Sequence, residues 1–88
     1  MKYETQDYFL SAYLVASGCV MVSHHWNGSK LIFEFDQSEK LLKFVQTYYS
    51  LQGQINPQAF TAALKNLKNI MYQYKNNDDN EHMSNFRR

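Results

Sequence analysis

The side chains of this 88-residue sequence that could do chemistry lie mostly between residues 19 and 36. His24 and His25 are of the type most often used for metal binding and proton transfer. Neighbouring residues of a β-strand point to opposite faces, so the two rings are poorly placed to bind one metal ion. We interpret His24 as a hydrogen-bonded histidine of the core or its rim, with metal binding and pH sensing as alternatives.

The remaining reactive groups have structural explanations. Cys19 follows a predicted helix end, where the helix dipole disfavours a thiolate, and one cysteine cannot build a zinc site of several thiolates. A single cysteine also fits a reducing cytoplasm. Asp36 is expected to cap a helix, and the three glycines are too scattered for a phosphate-binding loop. The sequence therefore predicts a non-enzymatic, cytoplasmic protein without cofactor or metal ion.

Charge is divided unevenly along the chain. The formal net charge is +1, but residues 1–39 carry −3, residues 40–77 carry +5 and residues 78–88 carry −1. The middle segment has five lysines and no carboxylate, which creates a local positive field that could attract a polyanion. The alternative is that these lysines only keep helix surfaces soluble.

A lysine and tyrosine face of the last predicted helix is the first candidate surface. Lys65, Lys68, Tyr72 and Lys75 recur at helical spacing opposite the apolar stripe, with amides around them and no acid. Lysines suit phosphate contacts, and a tyrosine can stack on a base. With the lysines of the preceding helix, the candidate nucleic-acid-binding residues are Lys40, Lys43, Lys65, Lys68, Tyr72 and Lys75.

The tip of a predicted hairpin is the second candidate surface. His25, Trp26 and Lys30 lie there, and an exposed tryptophan is a common anchor at protein interfaces. The alternative is that Trp26 folds over the end of the sheet and shields the first or second helix. The two candidate surfaces point to different partners, a nucleic acid and a protein.

Hydrophobic spacing predicts the elements that hold these residues. Residues 6–17 form a helix with Phe9 in its apolar stripe, Thr5 as N-cap and Gly18 beyond its end. Residues 19–26 and 29–36 form a hairpin, because Asn27-Gly28 is a strong signal for a two-residue turn.

That turn fixes the predicted register, in which Trp26 pairs with Ser29 and His24 with Leu31. One face of the hairpin is then apolar, and helices must cover it because two strands alone are marginal in water. The residues of this face are Val20, Val22, His24, Leu31, Phe33 and Phe35.

Two further helices follow. Asp36 and Glu39 fit a capping box for a helix that runs to about residue 50, with Gly53 closing the segment. Asn56-Pro57 then starts the last helix, whose apolar stripe extends from Phe60 to residue 74. Residues 76–88 are polar and lose the periodicity, which predicts a flexible tail.

These elements indicate one α+β domain over residues 1–75, in the order α-β-β-α-α, with a two-stranded antiparallel hairpin packed against three helices. No apolar run approaches the roughly 18 residues of a membrane span. Because a two-stranded sheet is thin, a third strand from a partner or a homodimer could extend it.

The layout resembles a known family over residues 3–74. The matching positions are Tyr3-Glu4-Thr5-Gln6-Asp7, Leu10-x-x-Tyr13-Leu14, Gly18, Gly28-x-x-x-x-Phe33-x-Phe35, Tyr48-Tyr49 and Phe60-x-x-Ala63-Leu64-x-x-Leu67-Lys68-x-x-x-Tyr72. The family comprises short bacterial and phage proteins catalogued only as a domain of unknown function. The resemblance supports the order of elements, transfers no site residue, and favours a small accessory protein over a metabolic enzyme.

We therefore expect a small accessory module that joins a nucleoprotein complex or binds nucleic acid itself. The alternative is a phage or mobile-element protein that binds, and could inhibit, a host protein through the hairpin and Trp26.

Overall fold

The computed structural model describes the backbone of residues 1–83 and the side chains of residues 1–75. Its three strands form one antiparallel sheet in the order β1-β3-β2, which confirms the α+β class and the hairpin. Three helices pack on one face of this sheet. The elements are β1 (Lys2–Thr5), α1 (Tyr8–Ala16), β2 (Met21–Trp26), β3 (Leu31–Asp36), α2 (Glu39–Tyr49) and α3 (Pro57–Met83).

The third strand comes from the N-terminus of the chain itself. Lys2 pairs with Asp36 and Thr5 with Phe33, so β3 is the central strand. The sheet therefore has three strands where two were predicted, while extension by a partner or a second copy stays a prediction. β1 is only four residues long, but it alternates exposed and half-buried side chains, with Tyr3 packed against the core.

Asp7, and not Thr5, caps α1. The chain stays extended through Thr5 because β1 pairs with β3, so the helix cannot start earlier. An Asp7 carboxylate oxygen accepts a hydrogen bond from the Leu10 amide at 3.0 Å, and the other accepts one from the Tyr49 hydroxyl at 2.9 Å. Partial burial and this second hydrogen bond raise the pKa of Tyr49 to about 12. Asp7 therefore links the start of α1 to the end of α2.

The core forms around α1, which contacts both α2 and α3. Five consecutive residues of α1, from Leu10 to Leu14, are buried, so the helix is covered on several sides. Phe9, predicted in the buried stripe, is instead 53% exposed and lies outside the buried cluster. The buried cluster is Leu10, Ala12, Tyr13, Leu14, Leu31, Phe33, Phe35, Leu41, Ala63 and Leu67.

The register of the hairpin differs by two residues from the prediction. Trp26 pairs with Leu31 and His24 with Phe33, so residues 27–30 form the turn. The Asn27 side chain explains the longer turn, because its oxygen accepts hydrogen bonds from the amides of Ser29 at 3.1 Å and Lys30 at 2.9 Å. Lys30 is therefore held in the turn beside Trp26 and not in the strand.

A β-bulge near the start of β2 changes which residues face the core. The register shifts between Met21 and Ser23, and the inserted residue reverses the alternation of side chains on its N-terminal side. Met21 consequently packs on the core, whereas Val20 is 62% and Val22 39% exposed. The prediction of Val20 and Val22 on the apolar face was wrong for this reason.

Ser38 caps α2, whereas the sequence predicted Asp36. The Ser38 hydroxyl accepts a hydrogen bond from the Leu41 amide at 3.0 Å, while Asp36 still belongs to β3. We expect Ser38→Ala to lower the free energy of unfolding in urea by about 1 kcal/mol. Asp36→Ala, which removes an exposed side chain, should stay within about 0.5 kcal/mol of the parent. A larger loss for Asp36→Ala would contradict the assigned cap.

The end of α2 contains a leucine in a position that favours glycine. Leu51 has a φ of +63° and directly follows the C-cap Ser50, so Gly53 does not close the helix as predicted. The Gln52 amide bonds the Thr47 carbonyl at 3.1 Å, which completes a Schellman motif. Gly18, with a φ of +96°, ends α1 in the same way, as predicted. The left-handed conformation costs a non-glycine residue about 1–2 kcal/mol.

The last helix begins as predicted. The Asn56 side chain accepts hydrogen bonds from the Gln58 amide at 2.8 Å and the Ala59 amide at 3.0 Å. α3 continues to Met83, eight residues past the predicted domain end at Lys75. The predicted mobility of residues 76–88 stays a prediction, and residues 84–88 lie outside the described part of the chain. Among the described residues, no helix combines the length and apolarity needed to cross a membrane.

Candidate functional site

A histidine–tyrosine–tryptophan cluster joins the hairpin to α3. The Tyr74 hydroxyl donates a hydrogen bond to the His24 carbonyl at 3.0 Å and lies 2.8 Å from His24 Nδ1. When the hydroxyl donates to the carbonyl, its oxygen can accept a hydrogen bond from Nδ1 in the tautomer that carries the proton there. His24 is thus a hydrogen-bonded histidine at the rim of the core, as interpreted from the sequence.

The ring of Tyr74 also supports Trp26. The two ring centroids are 6.3 Å apart with an interplanar angle of 22°, so the indole lies nearly parallel to the phenol. Trp26 is 42% exposed, which leaves part of its surface open to solvent. Trp26 thus stacks on a residue of α3, not of the first or second helix, and its role at a protein interface stays a prediction.

A groove of about 280 Å³, here called the tip groove, opens between the hairpin turn and α3. Lys30 from the turn and Lys75 from α3 contribute cations to a largely apolar lining. Its volume is just below the usual range for ligand pockets, roughly 300–1,000 Å³. The lining residues are Gln6, Tyr8, Trp26, Ser29, Lys30, Leu31, Phe33, Met71 and Lys75.

The predicted lysine and tyrosine face of α3 leads to this groove. Lys65, Lys68, Tyr72 and Lys75 are exposed, and the buried side of the helix contains Ala63 and Leu67. We call these four exposed residues the α3 row. At 1.5 Å per residue the row is about 15 Å long. Lys75 belongs to both the row and the tip groove, so the two surfaces predicted separately from the sequence meet at this residue.

Lys40 and Lys43 lie on α2, apart from the α3 row. Lys40 follows the end of β3 and its ammonium lies 5.9 Å from the Phe44 ring centroid, whereas the tip groove is at the other end of that strand. A six-residue strand spans about 20 Å. α1 also lies between α2 and α3. The five lysines of the basic segment therefore do not form one surface, and the role of these two stays a prediction.

His25 points away from Trp26 and Lys30, to the uncovered face of the sheet. Its Nδ1 lies 3.2 Å from a Glu34 carboxylate oxygen, and the Ser23 hydroxyl donates to this carboxylate at 2.7 Å. The hydrogen bond from Ser23 lowers the pKa of Glu34 most, and the charges of Lys2 and His25 add to the effect. His25 and Glu34 thus form a surface polar cluster that is separate from the tip groove.

Cys19 and the possible metal ligands are the remaining groups with reactive side chains. Burial raises the pKa of the Cys19 thiol, which agrees with its interpretation as a small apolar group. Within the part of the chain that the structure describes, no three His, Cys, Asp or Glu side chains form a group that could hold a metal ion.

Several groove residues were not recognised in the sequence. Gln6 and Tyr8 enter the groove because β1 places the start of α1 beside the hairpin, and this strand was not predicted. The alternation Lys2-Tyr3-Glu4-Thr5 was the available signal, but four residues are too few to separate a strand from an irregular segment. Tyr8 also donates to the Leu64 carbonyl at 2.8 Å, which fixes α1 against α3.

Comparisons with known proteins identify a family but no characterised relative. No match is found among the curated proteins or the solved structures. The model of one family matches residues 1–73, which include all three strands, α1, α2 and the first part of α3. The chain therefore belongs to the family described as Domain of unknown function (DUF5659).

Proposed function

We propose that this protein is a non-enzymatic accessory module that binds a single nucleic-acid strand along the α3 row and into the tip groove, alone or within a nucleoprotein complex. The observation that carries the proposal is the convergence of Lys30, Lys75 and Trp26 on one groove at the end of the row. Cations for phosphates and an accessible aromatic face for a base are the two elements of single-strand recognition.

The number of lysines favours an accessory role. Each phosphate contact on a single strand contributes about 0.7 to the slope of log affinity against log salt. At most four phosphate contacts are available, from Lys30, Lys65, Lys68 and Lys75, which gives a slope of about −3. Binding of this strength is weak at physiological salt unless another subunit adds contacts. We therefore expect the protein to act beside a larger partner.

The side chains around the groove support a binding role more than catalysis. Among the described residues that line the groove there is no His, Asp, Glu or Cys, and Glu34 lies on the other face of the sheet. A general base needs a free acceptor within hydrogen-bond distance of its substrate. The polar groups lining the groove are lysine, glutamine, serine and tyrosine, which bind and orient a ligand.

A second candidate function is binding of a host protein, as expected of a phage or mobile-element protein. The apolar lining of the tip groove beside Trp26 favours it, because an apolar pocket with an aromatic rim is a common site for a partner's side chain. Such binding would depend on Trp26 and much less on the lysines of the α3 row. A cytoplasmic location is part of both proposals.

Charge removal on the α3 row tests the first function. We expect Lys68→Gln/Lys75→Gln to reduce the salt slope of single-strand binding by about 1.4, because two phosphate contacts are lost. The matched control is Lys40→Gln/Lys43→Gln, which removes the same charge from α2 and should change the slope less. Fluorescence titration of labelled DNA and RNA oligonucleotides over a salt series gives both slopes. Equal slopes for the two variants would contradict a site on the α3 row.

Recovery of the tagged protein from its native host separates the two functions. Partners that are lost after nuclease treatment and with Lys68→Gln/Lys75→Gln support the nucleic-acid proposal. A protein that survives nuclease, tolerates these lysine changes and is lost with Trp26→Ala would favour the second candidate.

A further inference from the structure

Exposed aromatic rings are concentrated around Tyr8, at the start of α1. Among the side chains of residues 1–75, which the structure describes, the exposed aromatic residues are Phe9, Trp26, Tyr49 and Tyr72. Tyr49 belongs to α2, and the other three lie close to Tyr8 through the contacts given below. A cluster of exposed apolar groups on a small protein is typical of a binding surface.

Phe9 is the member of this cluster that the proposed function has not used. Its ring centroid lies 5.2 Å from that of Tyr8 with an interplanar angle of 74°, so the two rings meet edge to face. Tyr8 is fixed in turn, because its hydroxyl donates to the Leu64 carbonyl of α3 at 2.8 Å. Phe9 is 53% exposed, so Tyr8 supports the ring and much of its surface stays accessible.

Tyr8 connects Phe9 to both parts of the proposed binding surface. Burial raises the pKa of Tyr8 and the nearby Tyr72 adds to the effect, which places Tyr72 of the α3 row beside it. Tyr8 also lines the tip groove together with Trp26 and Lys75. We call Trp26, Tyr72 and Phe9 the aromatic path, which borders the lysines of the α3 row.

The carboxylates nearest to this path in the sequence are directed elsewhere. Both oxygens of Asp7 accept hydrogen bonds, one from the Leu10 amide and the other from the Tyr49 hydroxyl of α2. Glu4 is paired with Glu34 across the sheet, and Glu34 lies on the face that the helices leave uncovered. Lysines and exposed rings therefore occur together here, and a ligand that alternates phosphates with bases can use both.

On the basis of the proposed function, we propose that Phe9 is a further base-stacking residue and that the ligand is an unpaired strand of at least three nucleotides. One base stacks on each ring of the aromatic path, and the phosphates between them contact the α3 row. Every base has a π-face, so such a site accepts any sequence. A duplex is excluded because its bases are already stacked on one another.

The test is a titration of labelled oligothymidylate at low salt. Phe9→Ala should weaken binding about fivefold or more, the lower end of the measured effect of a stacking side chain. Phe9→Tyr keeps an aromatic face and should bind as the wild type does. Phe9→Leu keeps apolar bulk without that face and should behave as Phe9→Ala. Leu42→Ala, an exposed apolar residue of α2, is the control and should bind normally.

An abasic strand of the same length separates stacking from a structural role of Phe9. This ligand keeps the sugars and phosphates but has no bases, so the wild type should bind it more weakly than oligothymidylate. Phe9→Ala should then bind the abasic strand with the same affinity as the wild type. An equal loss of affinity for both ligands would mean that Phe9 shapes the surface without contacting a base, which would overturn the proposal.

The remaining outcomes distinguish this proposal from the proposed function. A folded Phe9→Ala with unchanged affinity, beside a Trp26→Ala that binds weakly, would overturn the role of Phe9 alone. Equal affinity of the wild type for duplex and single strand would overturn the aromatic path as the binding site. A wild type that binds no oligonucleotide at low salt would overturn both proposals, and loss of a captured protein with Phe9→Ala would then assign the rings to that protein.

Discussion

Trp26→Ala is expected to weaken binding of a single-stranded oligonucleotide by about 5- to 150-fold. Stacking of a base on an aromatic side chain contributes about 1–3 kcal/mol, and Trp26 is an exposed aromatic residue that lines the tip groove together with Lys30 and Lys75. The chain has one tryptophan, so quenching of its fluorescence reports base contact at this site alone. The measurement is a titration of the wild type by intrinsic fluorescence and of the variants by a labelled oligonucleotide.

Two variants control this experiment. Trp26→Phe keeps an aromatic face and should recover most of the affinity. Leu42→Ala removes an apolar side chain that is also 42% exposed but lies on α2, and it should bind as the wild type does. If Trp26→Ala bound the oligonucleotide with unchanged affinity, the tip groove would not be the base-contacting site. Loss of a protein partner with unchanged oligonucleotide binding would favour the second candidate function.

Sequence signals predicted the helix ends and stripes well where residues close in sequence determine them. Gly18 ends α1 and Asn56 caps α3 as expected, because both effects depend on residues close in sequence. The apolar stripe of α3 was also correct, with Ala63 and Leu67 buried. Spacing of 3.6 residues over several turns is a strong signal.

The errors arose where distant contacts decide the structure. β1 is too short to be recognised alone and exists because β3 offers an unpaired edge. Its pairing delays α1 until Asp7. In the hairpin, the side chain of Asn27 stabilises a longer turn, and the bulge near Val22 reverses the core-facing alternation. Hydrophobic pattern alone cannot locate a bulge, because one inserted residue leaves the composition unchanged.

The candidate site depends on these same distant contacts. The residue types of both surfaces were recognised in the sequence. That the two surfaces meet in one groove was not predicted, because Lys30 and Lys75 are far apart in sequence. The shifted register keeps Lys30 in the turn, and the packing of Tyr74 on His24 brings α3 beside it. The tip groove is therefore a product of tertiary structure, whereas the α3 row follows from helical spacing.

Tyr74 is expected to hold the tip groove together, and its removal should have a large effect on stability. Tyr74→Phe loses the hydroxyl that bonds both the His24 carbonyl and Nδ1, at a cost of about 1–3 kcal/mol. Tyr74→Ala also loses the ring beneath Trp26, and we expect a total cost of about 2–4 kcal/mol for this part-buried side chain. Urea unfolding followed by circular dichroism measures both values.

Tyr72→Phe is the matched control, because Tyr72 is on the same helix and 50% exposed. Its free energy of unfolding should stay within about 0.5 kcal/mol of the parent, and equal losses for the two phenylalanine variants would contradict the His24 contact.

The oligonucleotide affinities add a second comparison. Tyr74→Phe keeps the ring that orients Trp26 and should bind nearly as the wild type does, whereas folded Tyr74→Ala should bind weakly. Wild-type affinity in Tyr74→Ala would mean that the orientation of Trp26 does not matter for binding, and the base would then have to contact the α3 row instead.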